Sequence, residues 1–302
     1  MNNSSSKTKS GFVAIVGRPN VGKSTLLNAL VNSKVAITSN KPQTTRHRIS
    51  GILTEDDYQI IFVDTPGMHK GKDLLNKQID KVAVSTLKDV DVIVFVVDKK
   101  FGLAEGHIIK YFENIKIPVY LVINKIDLLG SKKEIDELII SYLGKYDFAG
   151  VYPLSAVTKE NLTFLVNEIV ANLSEGPFYY PVDMKTDQSD EMIMAEFIRE
   201  KILYHTEEEV PHATTVVIES MNHNKEYKTL DVSAIIIVER DSQKGILIGK
   251  NGSKLKTIGT EARLDINQKF DLKVHLELWV KVKKDWRNRP NELMRFGYND
   301  HE

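Results

Sequence analysis

The sequence predicts an α/β fold, a mostly parallel sheet with helices on both faces, followed by a smaller α+β domain. Three observations carry this expectation. Short apolar runs alternate with helical patterns through the first 173 residues, as parallel strands joined by crossover helices do. Residues 174–190, with Gly176, Pro177 and Pro181, show no periodicity. Beyond them the order becomes helix, strand, strand, two helices, strand. A length of 302 residues suggests about two domains. The expected boundaries are a disordered tail at 1–10, a first domain at 11–175, a linker at 176–190 and a second domain at 191–302.

The elements follow in order. Residues 11–16 form a compact strand, and 24–32 a helix that opens at a glycine turn. Further strands are expected at 58–63, 92–97, 119–123 and 150–154. The apolar run 92–97 lies between Asp91 and Asp98 and is far too short to span a bilayer, so it is a buried strand. Helical segments fall near 72–87, 105–114, 133–143 and 161–173. In the second domain a helix at 191–204 leads to strands at 213–221 and 228–239. A glycine-interrupted helical stretch at 244–270 and a strand at 274–282 follow. The chain contains no internal repeat.

Composition narrows the function classes. Hydrophobic residues make up 42% and charged residues 27%, the profile of a globular protein. The chain has no cysteine, which excludes disulfides, thiolate zinc sites, iron–sulfur clusters and cysteine nucleophiles. The Asn/Ser/Lys-rich start has no apolar segment and is not a signal peptide, so a cytoplasmic location is expected. Net charge is zero, but its distribution is uneven: residues 183–240 carry 6 basic and 13 acidic groups, residues 244–289 carry 12 basic and 5 acidic. A basic stretch is either a solvated face or the footprint of a nucleic-acid surface.

Gly17-Arg18-Pro19-Asn20-Val21-Gly22-Lys23-Ser24 fits G-x-x-x-x-G-K-[ST], follows a strand and opens a helix, with Thr25 next in line. This is the P-loop arrangement. Its glycines let backbone N–H groups wrap a phosphate at a helix N-terminus. Lys23 would neutralise β- and γ-phosphate charge, and the Ser24 hydroxyl would meet Mg²⁺. Asp64-Thr65-Pro66-Gly67 ends the strand 58–63; Asp64 can hold Mg²⁺ and the Gly67 N–H can contact a γ-phosphate. Asn124-Lys125-Ile126-Asp127 follows the strand 119–123. A carboxylate at Asp127 pairs with guanine N1–H and its 2-amino group, a donor pair adenine lacks. Hydrogen bonds to charged groups are worth about 1.5–3 kcal/mol each, enough to select guanine. Ser155-Ala156 would add a backbone contact to guanine O6. Residues 38–48 are polar and mobile in character; Thr44 and Thr45 are candidates to close on Mg²⁺ and the γ-phosphate, with Thr45 favoured. The expected cofactors are GTP or GDP and Mg²⁺. Its expected ligands are Ser24, Thr45 and Asp64, and the expected catalytic set is Lys23, Thr45 and Gly67.

A second motif, Gly249-Lys250-Asn251-Gly252, sits between two helical segments, with Lys254 and Lys256 within the next turn. G-x-x-G alone is a plain helix corner. The element order around it matches the bacterial-type KH domain, whose loop clamps about four single-stranded nucleotides. From His275 on, alternation puts Leu276, Leu278, Val280 and Val282 on one face and His275, Trp279, Lys281 and Lys283, with Glu277 among them, on the other. Trp279 could stack on bases or lie half-buried against a helix, and Trp286-Arg287-Asn288-Arg289 is similarly ambiguous.

The four nucleotide elements in this order resemble the translation-factor-related GTPases. Arg18-Pro19-Asn20, Pro42-Gln43-Thr44-Thr45-Arg46-His47-Arg48, Glu261-Ala262-Arg263 and the G-x-x-G context resemble the Era family of bacterial GTPases over residues 11 to about 298. The resemblance implies a Mg²⁺-dependent GTPase that binds small-subunit 16S ribosomal RNA near its 3′ end and acts in 30S assembly. It also implies peripheral membrane contact, with a monomer and no DNA partner expected. Met68 stands where Ras-like enzymes place the Gln that orients water, so slow hydrolysis is implied, with the water positioned otherwise. Asn20 occupies the position that helps bind a monovalent cation in related enzymes, making K⁺ a further candidate. The competing readings are a signalling switch whose C-terminal domain binds protein, and an RNA-modifying enzyme. Against the latter, His205, His212, His223 and His301 have no paired ligand spacing.

Overall fold

The computed structural model describes residues 8–67 and 73–298. These fall into two compact units. The first contains the described residues up to Ala36, those from Thr45 to Gly67, and Ile79–Asp187; the second contains Ile37–Thr44, the described residues before Ile79, and those from Gln188 onward.

The first unit is built on a six-stranded sheet. Its strands are β1 (Lys9–Gly17), β2 (Ile49–Thr54), β3 (Tyr58–Asp64), β4 (Val92–Val97), β5 (Val119–Ile123) and β6 (Gly150–Pro153), in the order β2-β3-β1-β4-β5-β6. All neighbours are parallel except β2, which pairs antiparallel with β3 at the edge. The helices are α1 (Lys23–Val31), α2 (Leu74–Thr86), α3 (Leu103–Ile109), α4 (Lys132–Tyr142) and α5 (Leu162–Asn172). One face of the sheet buries Val13, Ile15, Phe62, Val94 and Val96 with α1 and α5; the other buries Ala14, Val16, Phe95 and Leu121 with α3 and α4. Every residue of β4 is buried, as a central strand covered on both faces requires.

Three details differ from the sequence expectations. The strand β2 was not anticipated. It contains Gly51, where a Cβ would lie 2.5 Å from Leu27 Cδ1, so the helix approaches the strand only because no side chain stands there. Residues 8–10 are not tail. Lys9 N–H donates to the Asp57 carbonyl at 2.9 Å, Thr8 Oγ1 to the Gly176 carbonyl at 2.8 Å and Ser10 Oγ to the Pro177 carbonyl at 2.7 Å. Residues 176–187 are also tied down: Tyr179 and Tyr180 N–H both donate to Gln59 Oε1, and the Lys185 carbonyl accepts from Ile52 N–H.

The second unit has a three-stranded sheet of β7 (Thr215–Asn224), β8 (Thr229–Val238) and β9 (Val274–Val282), with β8 central, antiparallel to β7 and parallel to β9. Three helices, α6 (Asp190–His205), α7 (Asp241–Ile248) and α8 (Ser253–Phe270), supply Phe197, Ile202, Leu247, Ile258 and Ile266 to a core with Val232, Ala234 and Ile236. A short α9 (Pro290–Arg295) closes the described chain. Ile37 joins this core, and Thr38 N–H donates to Glu200 Oε1 at 2.9 Å. The Arg199 guanidinium, paired with Glu196 at 2.6 Å, donates to the Thr44 carbonyl. The stretch expected to be mobile is therefore hydrogen-bonded to α6 at Thr38 and Thr44.

Candidate nucleotide and RNA sites

The first site forms where β1 ends and α1 begins. Gly22 adopts φ 94°, and a Cβ there would lie 2.3 Å from Asn124 Nδ2; both the turn and the close approach need glycine. A Cβ on Gly67 would meet the Pro19 backbone nitrogen at 2.8 Å, so that glycine lets the end of β3 reach the loop. Lys23 is buried, and its Nζ donates to the Arg18 carbonyl at 3.0 Å across the loop. Burial pushes its pKa down from 10.5 to about 8, opposed by Asp64 and assisted by Arg18.

One turn into α1, Ser24 meets the two other predicted metal ligands. Ser24 Oγ lies 2.6 Å from Asp64 Oδ2 and 2.7 Å from Thr45 Oγ1, and Thr45 Oγ1 is 3.2 Å from Asp64 Oδ2. Asp64 is fully buried, and its Oδ1 has no hydrogen-bond partner among the described residues. Burial raises its pKa, against the opposing pull of Lys23 and the hydrogen bonds from Ser24 and Thr45. A buried carboxylate with one unsatisfied oxygen beside two hydroxyls is a donor set of hard oxygens that suits Mg²⁺. Thr44 points elsewhere: its Oγ1 donates to the Lys41 carbonyl at 2.7 Å. Thr65 is structural, with its Oγ1 donating to the Ile15 carbonyl at 2.9 Å; Pro66 is buried, and Met68 lies outside the described residues.

The base-side residues divide in role. Asn124 bridges, its Nδ2 donating to the Val21 carbonyl at 2.9 Å and its Oδ1 accepting Ala156 N–H at 3.0 Å. It thereby joins the phosphate loop to the Ser155-Ala156 turn, where Ser155 Oγ accepts Thr158 N–H at 3.1 Å. Lys125 Nζ donates to the Asn20 carbonyl at 2.6 Å and to Asp98 Oδ2 at 2.7 Å. Asp127 is exposed in the short 3₁₀ turn Ile126–Leu128. The sequence reading missed Asp98 and Glu105. Arg18 pairs with both, through Nη2 to Asp98 at 3.1 Å and through Nε to Glu105, so two loop-side cations share Asp98. The available signal was Asp98 at the end of an apolar strand, as Asp64 is.

The second site lies in the second unit. α7 ends at Gly249 (φ 70°), Asn251 follows at φ 52° and Gly252 at φ 77°, and α8 starts at Ser253. A Cβ on Gly249 would lie 2.8 Å from Lys254 Cβ, whereas Gly252 faces open space. Lys250, Asn251 and Lys256 are exposed and Lys254 is half-buried. Half-buried Ile248 and Leu255 flank this turn in sequence, and half-buried Leu276 and Leu278 pack on the same core from β9, where a Cβ on Gly259 of α8 would lie 3.2 Å from Leu278 Cδ1; together they form an apolar margin along α8. Trp286 is fully buried, its Nε1 donating to the Ala213 carbonyl at 2.9 Å, and Arg287 pairs with Glu239 and Asp73. That cluster is structural.

Comparison with known proteins assigns families to the two parts of the chain that carry these sites. Residues 12–125 match the family described as "50S ribosome-binding GTPase", and residues 209–287 match the KH domain. The chain is 49% identical over 294 residues to GTPase Era of Clostridioides difficile (strain 630), covering 97% of this chain and 99% of that protein. It is 48% identical over 292 residues to GTPase Era of Thermoanaerobacter sp. (strain X514), covering 96% of each. A solved structure of Era in complex with MgGDPNP and nucleotides 1506–1542 of 16S ribosomal RNA is 40% identical, with a TM-score of 0.94 over 96% of this chain and 99% of that one. An Aquifex aeolicus Era variant bound to GDP·AlF₄⁻ matches with the same identity, TM-score and coverage. Near-complete coverage at this identity, over both sites, shows that the chain belongs to the Era family of GTPases.

Proposed function

We propose that this chain hydrolyses GTP at the Lys23–Ser24–Asp64 site and uses its KH domain to hold the 3′ region of 16S ribosomal RNA during 30S assembly. The observation that carries the first half is the buried triad of Ser24, Thr45 and Asp64 beside Lys23. The N–H groups of residues 20–24 cradle the phosphates, and the Lys23 ammonium balances the negative charge that grows between the β- and γ-phosphates as the terminal P–O bond breaks. Ser24, Asp64 and Thr45 hold Mg²⁺, which neutralises phosphate oxygen charge when bound. Gly67 N–H donates to a γ-oxygen. Attack by water yields GDP and inorganic phosphate. Asp127 reads the guanine N1–H and 2-amino group, and the backbone of the Ser155-Ala156 turn, which Asn124 holds through Ala156 N–H, faces O6. Asn124 and Lys125 hold the loop and the base-reading turn in register.

The RNA half rests on the exposed lysines of the G-x-x-G turn beside its apolar margin, and on the 16S RNA carried by the solved relative. Residues 249–252 with Lys254 and Lys256 clamp sugar-phosphate, and bases enter the apolar margin. K⁺ against the Asn20 carboxamide is the proposed second cation. Peripheral membrane contact, a cytoplasmic location and a monomer complete the reading, with the boundary between the two domains moved from 175 to about 187. No helix among the described residues is long and apolar enough to cross a membrane. The test is a GTP turnover assay with and without a 16S 3′-end RNA, alongside filter binding of that RNA. Mg²⁺-dependent phosphate release and saturable RNA binding are expected; ATP turned over as fast as GTP, or RNA retained no better than a scrambled strand, would refute it.

A further inference from the structure

We propose that the outward face of β9, centred on Trp279, is a stacking platform for an unpaired base of the same RNA strand that the G-x-x-G turn holds. This rests on the RNA-binding reading above and extends it to a new surface.

The two tryptophans of this chain have opposite fates. Trp286 is 0% exposed with its N–H bonded, whereas Trp279 is 59% exposed in the middle of a regular strand. A large ring left in water on a strand is the arrangement of contact surfaces, since Trp offers wide, rigid area at low entropic cost. Its cross-strand partner on β8, Ile235, is buried, so the ring stands beside covered apolar surface on that side. β9 is an edge strand, so the other side has no strand beyond it.

Continuity with the proposed groove selects the occupant. Leu276 and Leu278 face inward to the apolar margin beside α8, and Trp279 is the next residue, facing outward. A strand leaving the groove over the edge of β9 meets the ring next. A KH turn clamps only about four nucleotides, and the RNA in the solved relative runs from 1506 to 1542.

Charge decides which kind of contact is available there. Lys281 lies 3.4 Å from Glu219 and Lys283 2.9 Å from Glu292, and Glu277 shares the face with them. The surroundings of the ring are therefore nearly balanced, and phosphate attraction contributes little. Stacking is sequence-tolerant and depends weakly on salt, unlike the clamp at Lys250.

The test uses the full chain and a 16S 3′-end single strand, shortened in steps to four nucleotides. Both tryptophans fluoresce, but Trp286 is buried, so quenching by contact with RNA reports Trp279. RNA longer than the clamp should quench it, and Trp279→Phe should remove that signal. Trp279→Ala should weaken the long strand about 5- to 150-fold, the worth of one stacked base. Its effect should be equal at about 50 and 200 mM salt and should vanish for four nucleotides. Trp279→Phe should retain most of the affinity. The exposed position makes misfolding an unlikely cause, and the GDP-bound melting temperature should be unchanged. Long-strand affinity within twofold for Trp279→Ala, while Lys250→Asp/Asn251→Asp abolishes binding, overturns the platform and leaves the RNA reading intact. If the wild-type chain binds neither RNA length, both fall together. Quenching by a co-purified protein and not by RNA would assign the face to a protein partner and overturn the proposal.

Discussion

Replacing Asn124 by Ala should damage the nucleotide site through its scaffold, because the side chain ties the phosphate loop to the Ser155-Ala156 turn. The side chain spans a buried gap, donating to the Val21 carbonyl and accepting Ala156 N–H. Alanine leaves both of those backbone groups buried and unpaired. Each such group costs about 1–3 kcal/mol, and water entering the vacated space recovers part, so the net loss is about 2–4 kcal/mol. For a domain of this size each kcal/mol shifts the melting temperature by about 2–4 °C, giving roughly 4–16 °C. The assay is thermal unfolding with and without GDP. A two-domain chain need not melt in one step, so the transition that moves with GDP identifies the first unit. Asn124→Ala should lower that transition and leave the other in place, and GDP affinity should fall because the phosphate loop and the base-side turn lose their common tie. A variant that melts within about one degree of wild type would show that Asn124 is not a structural bridge, and its role would have to be direct contact with the base.

Three further outcomes follow from the same geometry. Asp127→Asn should weaken GTP and admit xanthosine triphosphate, since an amide donor suits the xanthine 2-oxo group; unchanged GTP affinity by titration calorimetry would remove Asp127 from base reading. Lys23 sits at about 8 in the free site, and a bound phosphate favours its charged form, so binding takes up a proton above that pH. GDP affinity should therefore fall as pH rises from about 8 to 9, by up to tenfold per unit, and a flat profile would contradict a buried, suppressed lysine. Lys250→Asp/Asn251→Asp puts negative charge where phosphate is expected, and opposed charges about 4 Å apart interact by roughly 4 kcal/mol at an effective dielectric of 20. Screening should leave a loss of some 30- to 150-fold in RNA affinity, with circular dichroism and GTP binding normal; a loss below twofold would make the turn a plain helix corner.

Much of this was legible in the sequence where chemistry fixes both residue type and spacing. The phosphate loop, Asp64 and the Asn124–Asp127 segment each follow an apolar strand, and strand ends on one edge of a parallel sheet converge. Residue type alone left Thr44 and Thr45 both open, with Thr45 favoured, and the structure puts Thr45, not Thr44, beside Ser24 and Asp64. What could not be read depends on tertiary neighbours. Asp98 and Glu105 acquire meaning only because β4 and α3 bring them to Arg18. β2 was hidden because Ile49–Thr54 is a short edge strand whose Gly51 makes room for Leu27 and Val31. The tail boundary failed because Thr8, Lys9 and Ser10 are polar residues whose partners lie more than 40 positions away. Alternation set Trp279 on the face opposite Leu276 and Leu278 but left open whether a helix covers it; nothing periodic marks Trp286, whose burial depends on the Ala213 carbonyl, an edge-on contact with Phe296 and stacking with Tyr298.

The central claim, that one chain couples a guanine-nucleotide site to recognition of a defined ribosomal RNA region, is tested most directly by crosslinking the protein to RNA in cells and sequencing what is bound. Reads from the wild-type chain should concentrate at the 3′ end of 16S ribosomal RNA and disappear for Lys250→Asp/Asn251→Asp. Reads spread across transcripts in proportion to abundance, or unchanged in that variant, would contradict it.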